Sequence, residues 1–218
     1  MYRQVVILIF LFALSLTTSS QQLNNTSEKQ RLNNNWQFVR TDIGSVWEAV
    51  RPAKKGGPEK VPIWQPVTLP HSYNASDAVD PDVNYYQGPA WYKTLIDIEN
   101  PYKNGRTFLH FEGAGQKTEV YVYTTKVGSH VGGYDEWKVD ITKAVKAFRS
   151  SDAANEGRFK GKIPVIIRTD NSRDTEMIPS DLSDFNLYGG GLPLPEPGLY
   201  TFSLYRKSLC KCNGRCKR

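Results

Sequence analysis

From Trp36 onward, apolar and polar residues trade places over short runs, and turn formers separate the runs. Trp36-Gln37-Phe38-Val39 is the first such run. A solvated loop, Lys54-Lys55-Gly56-Gly57-Pro58, comes next, and residues 64–69 lead into Pro70-His71. Residues 90–98 alternate as a strand and stop at the turn formers Asn100-Pro101 and Asn104-Gly105. Residues 107–112 and 118–122 are rich in β-branched and aromatic side chains, which predicts two more strands. Residues 162–169 carry a continuous apolar run, the mark of a buried strand. Asp140-Ile141-Thr142 predicts the start of a short helix over 143–149, capped by Thr142. Residues 127–134, with Gly128, Gly132 and Gly133, read as a loop that glycine lets bend sharply. Many strands, one short helix and closely spaced turns predict an all-β sandwich.

The period of two also assigns faces. Trp91 and Tyr92 point opposite ways, so one can fill the core while the other faces a groove. Phe108 and His110 share one face, and Leu109 and Phe111 the other. His110 is therefore expected to be a satisfied structural histidine. His71, after Pro70, is expected to order a loop. His130, beside glycines, is the better functional candidate.

Residues 1–35 belong to a different regime. Arg3 precedes an almost wholly apolar run over residues 5–16, and small residues follow to Ser20. That run is shorter than the ~20 residues a bilayer span needs, so residues 1–20 read as a cleaved secretory signal. The chain is thus expected to be secreted or periplasmic, with no membrane attachment after cleavage. Residues 21–35 are polar and Asn-rich, a flexible lead-in. Asn24, Asn25 and Asn74 open Asn-x-Ser/Thr triplets, which matter only in a eukaryotic secretory pathway.

Net charge changes the picture little. Residues 201–218 hold Arg206, Lys207, Lys211, Arg215, Lys217 and Arg218 and no acid, and so account for the whole +6. A nucleic-acid partner would need a basic face on the folded body, and none is expected. The three cysteines, Cys210, Cys212 and Cys216, lie in the same tail, far in sequence from the three histidines. A structural zinc site takes four Cys or His ligands, so no metal is expected. The glycine pairs Gly132-Gly133 and Gly189-Gly190 fit neither phosphate-binding pattern, and no cofactor is expected.

Several stretches between residues 64 and 190 carry a resemblance. They are Leu69-Pro70-His71-Ser72-Tyr73-Asn74, Tyr86-Gln87-Gly88-Pro89-Ala90-Trp91-Tyr92 and Leu109-His110-Phe111-Glu112-Gly113-Ala114. Val120-Tyr121-Val122, the 127–134 segment, Val139-Asp140-Ile141-Thr142 and Val165-Ile166-Ile167-Arg168 follow, then Asp184-Phe185-Asn186-Leu187-Tyr188-Gly189-Gly190. No one of these is specific alone. In this order and spacing, the segment resembles the sugar-binding domain that opens family 2 glycoside hydrolases, the β-galactosidase group. The resemblance implies a galactose-binding-like jelly-roll β-sandwich over residues 36–190. It also implies a galactoside-like carbohydrate ligand and a catalytic barrel domain as partner.

Glycosidic hydrolysis needs two carboxylates across the scissile bond, ~5–5.5 Å apart for retention. In the family resembled, both are glutamates of a barrel of roughly 250 residues that follows the sandwich domains. Glu112, Asp140 and Asp170 fall at strand or helix ends, where structural capping is their expected use. The chain by itself is expected to be inactive, with no catalytic residue of its own. The resemblance implies that a loop of this domain reaches the barrel's active site, and Asp184 matches its substrate-holding aspartate. Asn84 is the nearest candidate for a partner asparagine. Tyr85 and His130 complete the candidate substrate-binding set, and Tyr86, Trp91 and Trp137 are further aromatics that could stack on sugar. Two alternatives stay open: a stand-alone secreted lectin, and a scaffold domain with no sugar affinity.

Past Gly190 the resemblance breaks. Pro193, Pro195 and Pro197 cannot sit in a central strand, because each lacks a ladder donor. Codons for residues 192–199 can be chosen so that a one-nucleotide shift reads Tyr-Arg-Tyr-Leu-Asn-Leu-Val, close to the strand the family expects. Residues 191–218 are thus expected to be an aberrant basic tail from a reading-frame slip. Residues 199–205 alternate and could replace the missing strand.

Overall fold

The computed structural model describes residues 27–52, 62–77, 79–80, 82–100, 105–174, 191–192 and 203–207. Strand β1 (Ser27–Arg31) is followed by β2 (Trp36–Val39), helix α1 (Val46–Val50), β3 (Gln65–Val67) and the short β4 (His71–Ser72). The middle of the chain supplies β5 (Pro89–Ile96), β6 (Arg106–Phe111), β7 (Lys117–Val122), β8 (Thr125–Val131) and β9 (Trp137–Asp140). Helix α2 (Thr142–Arg149) and a 3-10 turn (Asp152–Asn155) lead to β10 (Ile163–Asp170), and β11 (Gly191–Leu192) and β12 (Ser203–Lys207) come last.

These strands form a six-stranded sheet in the order β3-β2-β5-β10-β7-β8 and a four-stranded sheet in the order β1-β12-β6-β9. β4 and β11 make a separate two-stranded ladder. Neighbouring strands are antiparallel. The fold is the expected all-β sandwich.

Alternation builds the core between the two sheets. Tyr92, Val120, Val165 and Ile167 point inward from the larger sheet, and Leu109, Phe111 and Val139 from the smaller. Val145 and Phe148 of α2, with Phe159, close one end. Full burial of each large apolar side chain contributes ~1.5–3 kcal/mol. The opposite face of the larger sheet is also covered. There Val39, Trp91 and Ile166 meet Ala49 and Val50 of α1 in a second, smaller cluster. The expected groove at Trp91 is therefore filled. Trp91 is 2% exposed and stacks on Tyr121, ring centres 6.2 Å apart.

Several local differences from the sequence reading have identifiable causes. Residues 127–131 are strand and not loop, because β7 and β8 join through a two-residue turn at Tyr123-Thr124. Tyr123 adopts φ 56°, a left-handed conformation that usually advertises itself through Asn or Gly. Helix α2 begins one residue early. The Asp140 carboxylate accepts the Thr142 amide at 2.9 Å, while the Thr142 hydroxyl serves the Thr107 amide at 2.8 Å. Helix α1 was not expected. At five residues it is too short to persist alone, and Ala49 and Val50 hold it to the sheet. Residues 27–31, within the expected lead-in, form β1 against β12. Ser203–Lys207, within the expected tail, takes a place between β1 and β6, overlapping the proposed replacement strand.

Gly128 marks a close approach between the sheets. A Cβ there would stand 2.6 Å from Cγ2 of Val139, on β9 of the other sheet. Valine is stiff at χ1 and cannot swing away cheaply. We expect Gly128→Ala to destabilise the protein by about 1–3 kcal/mol, read as a lower urea midpoint. Gly157→Ala, where nothing lies within 4 Å of the added carbon, should leave that midpoint almost unchanged.

Candidate functional site

One end of the sandwich is assembled from loop residues held by a buried polar network. The cause is local sequence: the chain leaves β4 and covers residues 73–88 without a ladder to satisfy its backbone. Asn74, Asp77 and Asn171 supply the missing partners and are 2%, 7% and 0% exposed. The Asn74 amide donates to Asp77 Oδ2 and to the Tyr86 carbonyl, each at 2.9 Å. Asn171, just past β10, donates to Asn74 Oδ1 at 3.0 Å and to the Tyr86 carbonyl at 2.9 Å. Its own carbonyl oxygen accepts the Gly88 amide at 2.8 Å. Gly88, at φ 151°, adopts a backbone that L side chains rarely take, and Tyr86 crowds the space where a Cβ would sit.

Asp77 joins this network to β2. Its Oδ1 accepts from Arg40 at 2.7 Å, and Arg40 also donates to the Tyr73 carbonyl at 2.9 Å. Burial pushes the Asp77 carboxyl up, but hydrogen bonds from Arg40, the Tyr86 amide and Asn74 outweigh it and hold the group below the usual carboxylate range. The Tyr73 hydroxyl donates to the Gly88 carbonyl at 3.2 Å, and the Tyr86 hydroxyl to the Pro89 carbonyl at 2.7 Å. His71 shares a hydrogen bond with the Tyr92 hydroxyl at 2.9 Å and packs on Phe38, which makes it the loop-ordering residue expected. Burial lowers the His71 pKa.

Three of the four candidate residues are among those described. Asn84 is exposed and Tyr85 half-buried. Burial, then the Asp77 carboxylate and Tyr134, raise the Tyr85 hydroxyl. Tyr134 is 58% exposed. It lies in the β8–β9 connection, where His130 Nε2 meets Asp135 Oδ1 at 2.9 Å and the His130 ring stacks on Trp137 with centres 4.8 Å apart. Trp137 in turn stacks on Phe111. Asp184 lies outside the described residues.

Of the remaining aromatics suggested for stacking, Trp91 is core and Trp137 is sandwiched between rings. The sequence reading missed Tyr134, and the exposed Val83 and Val131. It also missed Arg40, Asp77 and Asn171 as a unit, although Asn74 opened a triplet of note. That asparagine is buried with its amide doubly bonded, so the folded chain offers no acceptor there. His110 is structural as expected, with its Nε2 2.6 Å from Glu136 Oε1.

Carboxylates with displaced titration among the described residues all move down. Asp140 is raised by burial but lowered further by Thr142 and Arg106, and Asp170 by Ser172 and Arg168 in the same way. Glu119 follows through Lys126, and Glu136 through His110. Asp140 accepts the Thr142 amide at the start of α2 and Asp170 the Ser172 amide just past β10, the capping use expected of acids at element ends.

No protein-family model matches the chain. Its curated relatives and structural neighbours are glycoside hydrolases. The β-glucuronidase of Parabacteroides merdae has a crystal structure that is 64% identical with a TM-score of 0.75, over 83% of this chain and 22% of that one. A putative β-glucuronidase of Formosa agariphila is 34% identical over 189 residues, 87% of this chain and 20% of its own length. A β-galactosidase of Thermoanaerobacter pseudethanolicus is 31% identical over 125 residues, 56% of this chain and 14% of its own length. The chain therefore spans 14% to 22% of the length of these relatives.

Two outcomes test the network. Asn171→Ala removes an acceptor and two donor contacts from the interior, and should cost about 2–4 kcal/mol in urea unfolding. The depressed carboxyls make a further prediction. Asp77, Asp140 and Asp170 stabilise the fold fully above their unfolded pKa, ~3.9, and that contribution is lost as pH falls through their lower folded values. The urea midpoint should start to fall on acidification below about pH 6.5, where the neutral, half-buried His71 begins to lose out to its protonated unfolded form. It should fall further through the carboxylate range, that second part less steeply in Asp77→Asn.

Proposed function

We propose that the chain is the N-terminal carbohydrate-binding module of a family 2 glycoside hydrolase, and that the reacting carboxylates belong to a barrel outside these 218 residues. One observation carries this reading. A chain whose relatives are β-glucuronidases and β-galactosidases matches them over about a fifth of their length, and does so with an all-β sandwich. In this reading the module frames the substrate. Tyr85 offers a ring face, Asn84 an amide, and His130 an imidazole tied to Asp135, with Asp184 as a further contact. The ligand is a galactoside-like or glucuronide sugar. Export through residues 1–20 to the periplasm or beyond belongs to the same proposal, as does the reading-frame origin of residues 191–218.

The half-buried Tyr85 and the exposed Tyr134 also suit a second reading, a stand-alone lectin, since such rings stack on sugar faces without help from a barrel.

Purified chain should give no turnover of chromogenic β-galactosides or β-glucuronides above background; turnover that survives repurification would sink the framing role. Tyr85→Ala should weaken binding of a methyl β-glycoside by about fivefold, from ~1 kcal/mol of lost stacking. Its urea midpoint should stay at the wild-type value. Binding too tight for an accessory module, with Kd near micromolar, would favour the lectin.

A further inference from the structure

A cleft of about 510 Å³ opens on the outer face of the six-stranded sheet, beside α1 and the turn before β10. None of the candidate residues Asn84, Tyr85 or His130 lines it. Five cations do, namely Arg51, Lys93, Arg158, Lys160 and Lys162, and no acidic residue is among the lining. Residues 1–200 carry equal numbers of acids and bases, so this concentration is local. Two of the five have partners: Glu48 meets Arg51 at 2.8 Å and Glu156 meets Arg158 at 2.6 Å.

Lys93 is the unusual member. It sits mid-sheet on β5, opposite Gln37 of β2 and Ile166 of β10. Its ammonium lies 4.0 Å from the Trp64 ring centre and donates to the Ala49 carbonyl at 3.2 Å. Burial, and then repulsion from Arg158, lower its pKa to about 8. A cation drawn out of water and facing a second cation is a place where an anion is welcome. The rest of the lining is chosen differently. Asn35 and Gln37 present exposed amides, and Leu95 and Pro164 form an apolar floor. Amides suit hydroxyl groups and an apolar floor suits the C–H face of a pyranose, whereas a nucleic-acid track would ask for exposed aromatic platforms.

We propose that this cleft binds an acidic oligosaccharide, a chain segment bearing carboxylate or sulfate groups, at a position separate from the Tyr85 end. The proposal rests on the reading of the chain as a carbohydrate-binding module. The acid group is held among Lys93, Lys160 and Lys162, with the ring over Leu95 and hydroxyls at Asn35 and Gln37.

Calorimetric titration of the 218-residue chain with an oligosaccharide of alternating glucuronate and N-acetylglucosamine tests it. The comparison ligands are a neutral cello-oligosaccharide of equal length, inorganic sulfate and a single-stranded DNA oligomer. We expect binding of the acidic sugar and no heat from the neutral one. The exposed pair Lys160→Ala/Lys162→Ala should lose about tenfold in affinity, from ~1 kcal/mol or less per cation. Lys93→Met, which keeps an unbranched apolar side chain of similar length and removes the charge, should weaken binding as well, and Tyr85→Ala should leave it unchanged. Unchanged affinity in the lysine variants overturns the proposal. So does equal affinity for the neutral sugar, or DNA or sulfate binding as tightly as the acidic sugar, which would mark a patch that merely attracts anions. Loss of the acidic-sugar signal with Tyr85-dependent glycoside binding intact counts against the cleft alone; absence of all sugar binding counts against the module reading.

Discussion

Arg40, Asp77, Asn74 and Asn171 satisfy one another inside the end of the sandwich, and what that end presents depends on their doing so. Buried amides and carboxylates cost free energy unless every polar atom finds a partner, because the interior cannot screen or solvate them. Here the partners come from three separate places in the chain, with Asn74 and Asn171 97 residues apart. The network therefore closes only when β2, the 73–88 loop and the end of β10 are all in register. A cluster of this kind is a poor source of stability but a strong source of definition. It fixes where Tyr86 and Gly88 stand, and hence the path of Asn84 and Tyr85 just before them.

Much of the fold was legible because period-two patterning is a direct physical consequence of half-buried strands. Tyr92, Leu109, Phe111 and Ile167 fall on the core side wherever alternation put them. Alternation could not foresee that the far face of the larger sheet would also be covered. Trp91, Ile166 and Val39 are outward by pattern, yet a five-residue helix too short for periodicity to register buries them. The β7–β8 hairpin was hidden for a related reason. Its turn uses Tyr123 in a conformation that sequence ordinarily reserves for small or amide residues, so the glycines downstream took the attention.

The candidate surface was half legible. Asn84 stood out only through resemblance, Tyr85 as an aromatic able to stack on sugar, and His130 through its glycine neighbours. Tyr134 carried no signal of its own; its exposure is a tertiary fact. Likewise a residue such as Lys93 reads in sequence as one solvated charge in an alternating strand. Its withdrawal against Trp64, from a segment separated by a loop and another strand, is set by packing alone.

The contact of Gly128 with Val139 has a bearing on how the exposed ring is offered. Two layers of the sandwich meet at that point with no room for a methyl group, and the backbone crosses from one layer to the other directly afterwards, through Tyr134. A pinned crossing of this sort is a corner with its geometry settled before any encounter. A short crossing next to such a contact has fewer backbone states to lose on ordering than a long free loop would have.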